Sequence, residues 1–342
     1  MRILHVTECY GAGVGRAVNL RALATPEFEH HLLWAGEESP AFQEHWASAE
    51  ALPDGLWKRI LATRRRVTEL KPDLVHAHSS WAGVYARALK LPVPVLYEPH
   101  CFKFDDPATG SLVRSLYKHA ESALARNCAA IGVLSPHEER LARSLRPTLS
   151  TVFLPNTPVV TQATIEECGE PDADTPGVVM VGRVAPQKDP HYFIDVVRRL
   201  RETIPRLRAT WVGDGEPKLI AALHEADITV TGWLGERDVA RTLINSSVYV
   251  HTARYEGFPL SVLDAAAAGC PIVVRDIPPF EGTALIRGDS PGAVADLAGS
   301  IIKDPAARQA AQKASAALLA TMNTESLSRS LRHTYHDLQA GR

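Results

Sequence analysis

"SVYVHTARYEGFPLSVLDAAAAG" (residues 247–269) opens as a short β-branched and aromatic run. It passes through a turn holding Gly257 and Pro259, then continues as a small-residue helix. A strand that runs straight on into a helix is half of a crossover unit, the building block of a parallel sheet. The turn carries a carboxylate at Glu256, and a second follows eight residues later at Asp264.

The same grammar recurs along the chain. "ILHVT", "HLLWAG", "DLVHAH", "PVLYEP", "AIGVLS" and "TVFLPN" are short apolar runs ending in polar, Gly or Pro residues, and helical segments are expected at 57–71, 79–90, 111–127 and 136–145. Residues 155–176 hold four prolines and little periodicity, which reads as an interdomain linker. Beyond it the alternation restarts with "GVVMVGRV", "ATWVGDG", "DITVTGW", "SVYVHTA" and "PIVVRD". Helices are expected near 190–204, 216–226, 236–245, 260–269, 291–303 and 305–321. The fold class is α/β: two doubly wound, Rossmann-like parallel-sheet domains, 1–160 and 161–324. A last helical stretch, 325–342, has a natural place against the first domain, though sequence alone does not fix it there.

The 342 residues are ample for two cores, and 45% hydrophobic with 22% charged residues is globular composition. A net charge of −2 gives no general case for nucleic acid. The five cysteines are scattered without CxxC or CxxH spacing, so buried free thiols in a reducing compartment are expected rather than a zinc site or disulfide framework. No run approaches the roughly 20 apolar residues that span a bilayer, and the N-terminus lacks signal-peptide features. The expectation is a cytoplasmic protein.

In doubly wound sheets chemistry collects at the carboxyl ends of strands. After the first strand comes "GAGVGR", with Gly15 and Arg16; its spacing departs from a dinucleotide fingerprint, and a plain tight turn explains it as well. "VGRVAPQKD" puts Gly182, Arg183 and Lys188 past a strand, with Asp189-Pro190 starting a helix. Two cations so spaced suit a diphosphate better than two solvated charges. The Gly232-Trp233 turn fits either a nucleobase edge or a hydrophobic plug. Gly257, Phe258, Leu260 and Ser261 stand at a helix start, where unpaired N–H groups suit a phosphate or sugar hydroxyl. Glu256 and Asp264 can share one side, near a sugar and a ribose; the alternative makes Glu256 a helix cap and Asp264 merely exposed. "DAD" at 172–174 and "DDP" at 105–107 read as solvated acids, not as metal ligands.

Together these motifs resemble retaining GT-B glycosyltransferases of family 4, the glycosyl transferases group 1. "ARYEGFPLSVLDAAAAGCPIV" resembles that family's E-x7-E signature, "VGRVAPQKD" its GR…KG element, "GAGVGRAV" its first Gly-rich loop, and "LVHAHS" and "YEPHCF" its two His-bearing strand ends. The resemblance covers nearly the whole chain. It implies a retaining hexosyltransferase using a nucleotide-diphosphate sugar, UDP- or GDP-linked, with no further cofactor and no bound metal. By the same resemblance Arg183 and Lys188 hold the diphosphate and Glu256 lies by the transferred sugar. His100 would face the sugar, Gly15 and Arg16 would lie beside the phosphate or acceptor, and Asp264 would replace the glutamate that contacts ribose. It also implies a glycan or lipid-linked acceptor in cell-surface polysaccharide or glycolipid synthesis.

Two features depart from the family pattern: Asp264 is a methylene shorter than glutamate, and Ala12 separates Gly11 from Gly13. Rival readings are an epimerase-like GT-B enzyme and a non-catalytic nucleotide-sugar binder. Residues 57–71 carry six Lys/Arg against one acid with apolar residues between, which suits peripheral membrane contact on the inner face or a solvated helix.

Overall fold

The alternating runs fold as two all-parallel sheets, and the computed structural model describes residues 1–36, 45–169 and 176–341. The chain divides into two units, Met1–Asn156 with Thr324–Arg342, and Thr157–Asn323.

The first unit holds β1 (Arg2–Thr7), β2 (Glu29–Trp34), β3 (Ser48–Ala51), β4 (Leu74–His78), β5 (Val95–Glu98), β6 (Ala130–Val133) and β7 (Ser150–Phe153), in the order β3-β2-β1-β4-β5-β6-β7. Helices α1 (Ala12–Leu23), α2 (Leu56–Leu70), α3 (Ser80–Arg87), α4 (Ser111–Leu124) and α5 (Pro136–Leu145) supply the connections. Side chains alternate across the pleat. One face (Leu4, Val6, Val75, Ala77, Val95, Tyr97, Ile131, Val133) forms the main apolar core with residues of α2, α3 and α5. The other mixes Ile3, Leu74 and Leu96 with His5, His76, His78 and Glu98, all buried.

The second unit contains α6 (Gln162–Cys168), β8 (Gly177–Val181), α7 (Pro190–Thr203), β9 (Arg208–Val212), α8 (Pro217–Glu225), β10 (Thr229–Val230) and α9 (Glu236–Ile244). It continues with β11 (Val248–His251), α10 (Leu260–Ala267), β12 (Ile272–Arg275), β13 (Ile286–Gly288), α11 (Pro291–Lys303) and α12 (Pro305–Leu319). Its sheet order is β10-β9-β8-β11-β12-β13. The last helix, α13 (Thr324–Ala340), belongs to the first unit: Tyr335 is buried in the apolar cluster beneath the sheet and Ser328 donates to the Ala24 carbonyl at 2.5 Å.

Helix starts follow capping chemistry. Ser135, Asp189, Ser290 and Asp304 each cap an N-terminus through the side chain, and each precedes a proline, whose missing N–H costs nothing there. The stretch expected as an irregular linker instead contains α6, capped by Thr161 and held to α9 through Thr164 and Glu236 at 2.9 Å. The "DAD" of 172–174 lies outside the described residues. Asp105 and Asp106 are not solvated acids. Asp106 is buried and accepts from the Ala108 N–H at 2.9 Å and the Thr109 hydroxyl at 3.0 Å, and Asp105 meets His137 at 2.8 Å. Of the five free cysteines only Cys270 is fully buried. Among the described residues no helix is long and apolar enough to cross a membrane.

Both sheets have a switch point where successive connections leave in opposite directions: between β1 and β4, and between β8 and β11. Ligands of open α/β sheets bind at the carboxyl ends there.

Candidate active site

The β8–β11 switch point carries the GR…K and E-x7-D elements on neighbouring loops. Beyond β8 the turn Gly182-Arg183-Val184 is fixed from the side. Trp211 Nε1 donates to the Gly182 carbonyl at 2.8 Å, and the Val184 N–H donates to the Asp214 carbonyl at 2.8 Å. Gly213 has φ +142°, and a Cβ there would stand 2.2 Å from the Gly182 carbonyl oxygen, so the two loops approach too closely for any side chain. The Arg183 side chain is exposed and makes no hydrogen bond or ion pair among the described residues.

Lys188 and Glu256 form an ion pair joining the two loops, their side chains 15% and 10% exposed. Burial disfavours the Glu256 carboxylate, yet the Lys188 ammonium overrides it and holds its pKa down to about 2. Behind the pair runs a buried polar line. His251 Nε2 lies 3.6 Å from Glu256, its Nδ1 meets the Tyr249 hydroxyl at 2.9 Å, and Tyr249 meets Ser261 Oγ at 2.9 Å. Asp189 caps α7 and receives Arg254 and Arg275, each at 2.8 Å. The Arg254 N–H donates to the Gln187 carbonyl at 2.9 Å, closing one loop onto the other.

Helix α10 begins at Leu260 with no side-chain cap, so Glu256 is not a helix cap, and the N–H groups of Gly257, Phe258, Leu260 and Ser261 stand at its start. Phe258 is buried edge-on against Phe280, 5.6 Å between centroids, and Leu260 is buried as well. Asp264 is not exposed. It is fully buried, and its Oδ1 accepts from the N–H groups of Val159 at 2.7 Å and Val160 at 3.2 Å. Trp233 is 58% exposed beside Gly232 (φ +72°), so it does not plug the core.

In the first unit "GAGVGR" is not a loop before a helix but the first turns of α1, with Gly11 as its N-cap at φ +150°. Gly15 is buried against the Tyr10 backbone and Arg16 is half-buried. His100 follows β5 at φ +52°, and Cys101 follows at φ +108°, a backbone that L-residues rarely adopt. Glu138 holds this kink by accepting from the Cys101 N–H at 3.0 Å and the Leu134 N–H at 2.7 Å; burial pushes its carboxyl up to about 7. Glu98, the last residue of β5, is clasped by buried Arg21 at 3.1 and 2.7 Å. Burial opposes its ionisation, but the guanidinium prevails and holds its carboxyl well below the usual range. His76 Nε2 lies 2.7 Å from Glu98, off the line of a good hydrogen bond.

On α2, the basic residues are largely engaged. Arg65 and Arg66 reach Glu50, Arg64 donates to the Lys90 carbonyl at 3.1 Å, and Arg59 donates to the Pro53 carbonyl at 2.8 Å. Leu56, Trp57 and Leu61 remain exposed.

Residues 3–157 match the family model described as "Glycosyl transferase 4-like domain", and residues 175–304 match "Glycosyl transferases group 1". The chain belongs to this glycosyltransferase family. Its members are retaining enzymes that move a sugar from a nucleotide-sugar donor, and the chain is a glycosyltransferase of that class. A Klebsiella pneumoniae protein described as "Uncharacterized 41.2 kDa protein in cps region" is 22% identical over 81% of each chain. The Escherichia coli UDP-Gal:alpha-D-GlcNAc-diphosphoundecaprenol alpha-1,3-galactosyltransferase is 28% identical over 64% of this chain and 62% of its own length. Among solved structures, sucrose-phosphate synthase from Thermosynechococcus elongatus superposes with a TM-score of 0.83 over 100% of both chains at 18% identity. That likeness fixes the glycosyltransferase as a GT-B fold.

Sequence reasoning missed Asp189 as the anchor of Arg254 and Arg275, and the His251–Tyr249–Ser261 line. It also missed the His5–His30 contact in the first unit. His251 and Tyr249 stood in the opening segment as strand residues; their alternation onto one face was the available signal.

Proposed function

We propose that this glycosyltransferase transfers a hexose from a UDP- or GDP-sugar to a glycan or lipid-linked acceptor of a cell-surface polysaccharide or glycolipid. The Escherichia coli relative, named for a UDP-galactose donor and a diphosphoundecaprenol-linked acceptor, favours the UDP form and that acceptor class. The single observation that carries the site assignment is the Lys188–Glu256 pair beside the uncommitted Arg183 guanidinium, at the switch point of the second sheet.

As the glycosidic bond to the diphosphate breaks, negative charge grows on the departing phosphate and positive charge on the sugar. Arg183 and Lys188 neutralise the first, helped by the N–H groups of Gly257, Phe258, Leu260 and Ser261 at the start of α10. Glu256, ionised at neutral pH, faces the second. Gly182 keeps the turn open for the phosphates, and Gly232 and Trp233 are assigned to the base. His100, Gly15 and Arg16 are assigned to the sugar and acceptor side. Asp264 acts at one remove, holding α10 to the backbone of Val159 and Val160. The exposed Leu56, Trp57 and Leu61 are assigned to peripheral contact with an anionic bilayer on the cytoplasmic face; sedimentation with phosphatidylglycerol vesicles, lost on Trp57→Ser, tests that contact.

The donor assignment is tested by thermal melts with UDP, GDP and ADP and their sugars, against Arg183→Ala/Lys188→Ala. A shift for one nucleotide family, absent in the variant, supports the reading. Equal shifts in both proteins remove the diphosphate from this site.

A further inference from the structure

Four imidazoles form a continuous hydrogen-bonded chain through the polar face of the first sheet. His30 Nε2 lies 2.8 Å from the Thr25 carbonyl, and His30 Nδ1 lies 3.0 Å from His5 Nε2. His5 Nδ1 lies 3.0 Å from His78 Nε2, and His78 Nδ1 lies 3.2 Å from His100 Nε2. The His5 and His78 rings meet edge to edge with 8° between planes, and the His78 and His100 rings with 15°. His5, His30 and His78 are buried, and among the described residues nothing hydrogen-bonds His100 Nδ1.

The proton positions along this chain follow from its inner end. A carbonyl oxygen only accepts, so His30 must carry its proton on Nε2. A second observation agrees. The Thr25 hydroxyl gives its own proton to the Arg21 carbonyl at 3.0 Å, so toward His30 Nε2, 3.2 Å away, it too can only accept. A neutral imidazole has one N–H, which leaves His30 Nδ1 as an acceptor and requires the donor to be His5 Nε2. The same step repeats twice: His5 Nδ1 accepts from His78 Nε2, and His78 Nδ1 accepts from His100 Nε2. Burial drives all four rings toward the neutral form, His30 and His100 to pKa values of about 4. Each ring then holds one proton and each contact contains one.

We infer that the Thr25 carbonyl, acting through His30, His5 and His78, locks His100 in its Nε2–H tautomer and so presents Nδ1 as an obligate hydrogen-bond acceptor. His30, His5 and His78 are positioning residues, and none needs to touch substrate. The consequence for function rests on the reading that His100 meets the donor sugar: Nδ1 then selects a hydroxyl hydrogen and disfavours an acceptor group such as a carbonyl or carboxylate at that position. The tautomer itself does not depend on that reading.

His5, His76 and His78 also offer one nitrogen each within 4.8 Å of one another, a possible cluster for a divalent cation. A cation held at the His5 Nδ1–His78 Nε2 contact would need both lone pairs where the hydrogen-bonded chain places a proton. The two arrangements exclude each other, and one experiment separates them.

The full chain labelled with 15N-histidine is studied by two-bond 15N–1H correlation, with rings assigned through single variants. The inference requires His5, His30, His78 and His100 all to show the Nε2–H pattern at pH 7. An Nδ1–H pattern or a charged ring at any of the four overturns it, as does a shift of His5, His76 and His78 together on adding one equivalent of Zn2+. His30→Gln keeps a donor for Thr25 and an acceptor for His5, and should leave His100 Nε2–H intact. His30→Phe removes the acceptor, and should leave His100 as a mixture of tautomers two rings beyond His5. A folded His30→Phe protein with an unchanged His100 pattern would also overturn the inference. With the wild-type pattern in place, adding UDP-sugar reads the other assignment separately. An unmoved His100 then removes it from the donor site and leaves the tautomer chain standing.

Discussion

Replacing Lys188 by methionine removes the cation from Glu256 while leaving the carboxyl buried. A carboxyl that ionises near 2 in the folded protein and near 4.5 when unfolded contributes about 3 kcal/mol at neutral pH. Breaking a buried pair by removing one partner costs about 3–5 kcal/mol, which agrees in scale. Both side chains are less than a fifth exposed, so solvent screening takes little from that figure. The sign is explicit. The wild-type carboxyl has a depressed pKa, so its stabilisation is complete above about pH 4.5 and is lost as pH falls toward 2. In Lys188→Met, burial is opposed only by His251, so the Glu256 pKa rises from about 2. The variant therefore loses less stability than wild type as pH falls from about 4.5 toward 2. Hydrogen exchange of the β8 and β11 amides in graded denaturant isolates the second unit from the first. The expected loss is about 3 kcal/mol at pH 7 for Lys188→Met, with Lys188→Met/Glu256→Gln recovering most of it. Strictly additive losses, or a variant with the wild-type pH slope, would refute the reasoning.

Three further outcomes follow from individual contacts. Arg21→Met strands the buried Glu98 carboxylate and should cost the first unit about 3–5 kcal/mol in denaturant unfolding, with partial recovery in Arg21→Met/Glu98→Gln. Gly213→Ala meets the Gly182 carbonyl at 2.2 Å and adopts φ +142°. It should lower stability by roughly 3 kcal/mol or more and weaken nucleotide binding with it, as read by melting and calorimetric titration. Asp264→Ala leaves the Val159 and Val160 N–H groups without their acceptor and should cost about 2–4 kcal/mol, whereas Asp264→Asn keeps an oxygen for them and should cost less. An Asp264→Ala protein as stable as wild type would show that those two bonds carry no weight.

Local signals read well where local chemistry sets the element. Helices α5 and α11 begin at a capping serine followed by proline, and both fall at the residues that this signal marks, 136–145 and 291–303. Strand β3, "SAEA", has no apolar alternation because none of its residues is buried at the sheet edge, so nothing in its residues announced it. Helix α6 hid in a proline-bearing stretch because none of its residues is buried, and amphipathic periodicity is written by burial. The GR…K and E-x7-D elements were legible because each follows its own strand within a few residues. The buried role of Asp264 was not, because its partners lie 104 and 105 residues away in sequence. The histidine chain was hidden for the same reason: β1, β2 and β4 and the turn beyond β5 each contribute one ring, and only the sheet order aligns them.

The central claim is that Glu256, held ionised by Lys188, stands at the reacting sugar of a nucleotide-sugar donor. The most direct measurement is release of nucleoside diphosphate from the donor identified by the melts, with and without acceptor, for wild type and Glu256→Gln. The variant must be shown to bind the nucleotide. The account predicts that Glu256→Gln keeps nucleotide affinity within a few-fold and loses turnover by at least about 100-fold. Turnover equal to wild type in a variant that still binds nucleotide would contradict it.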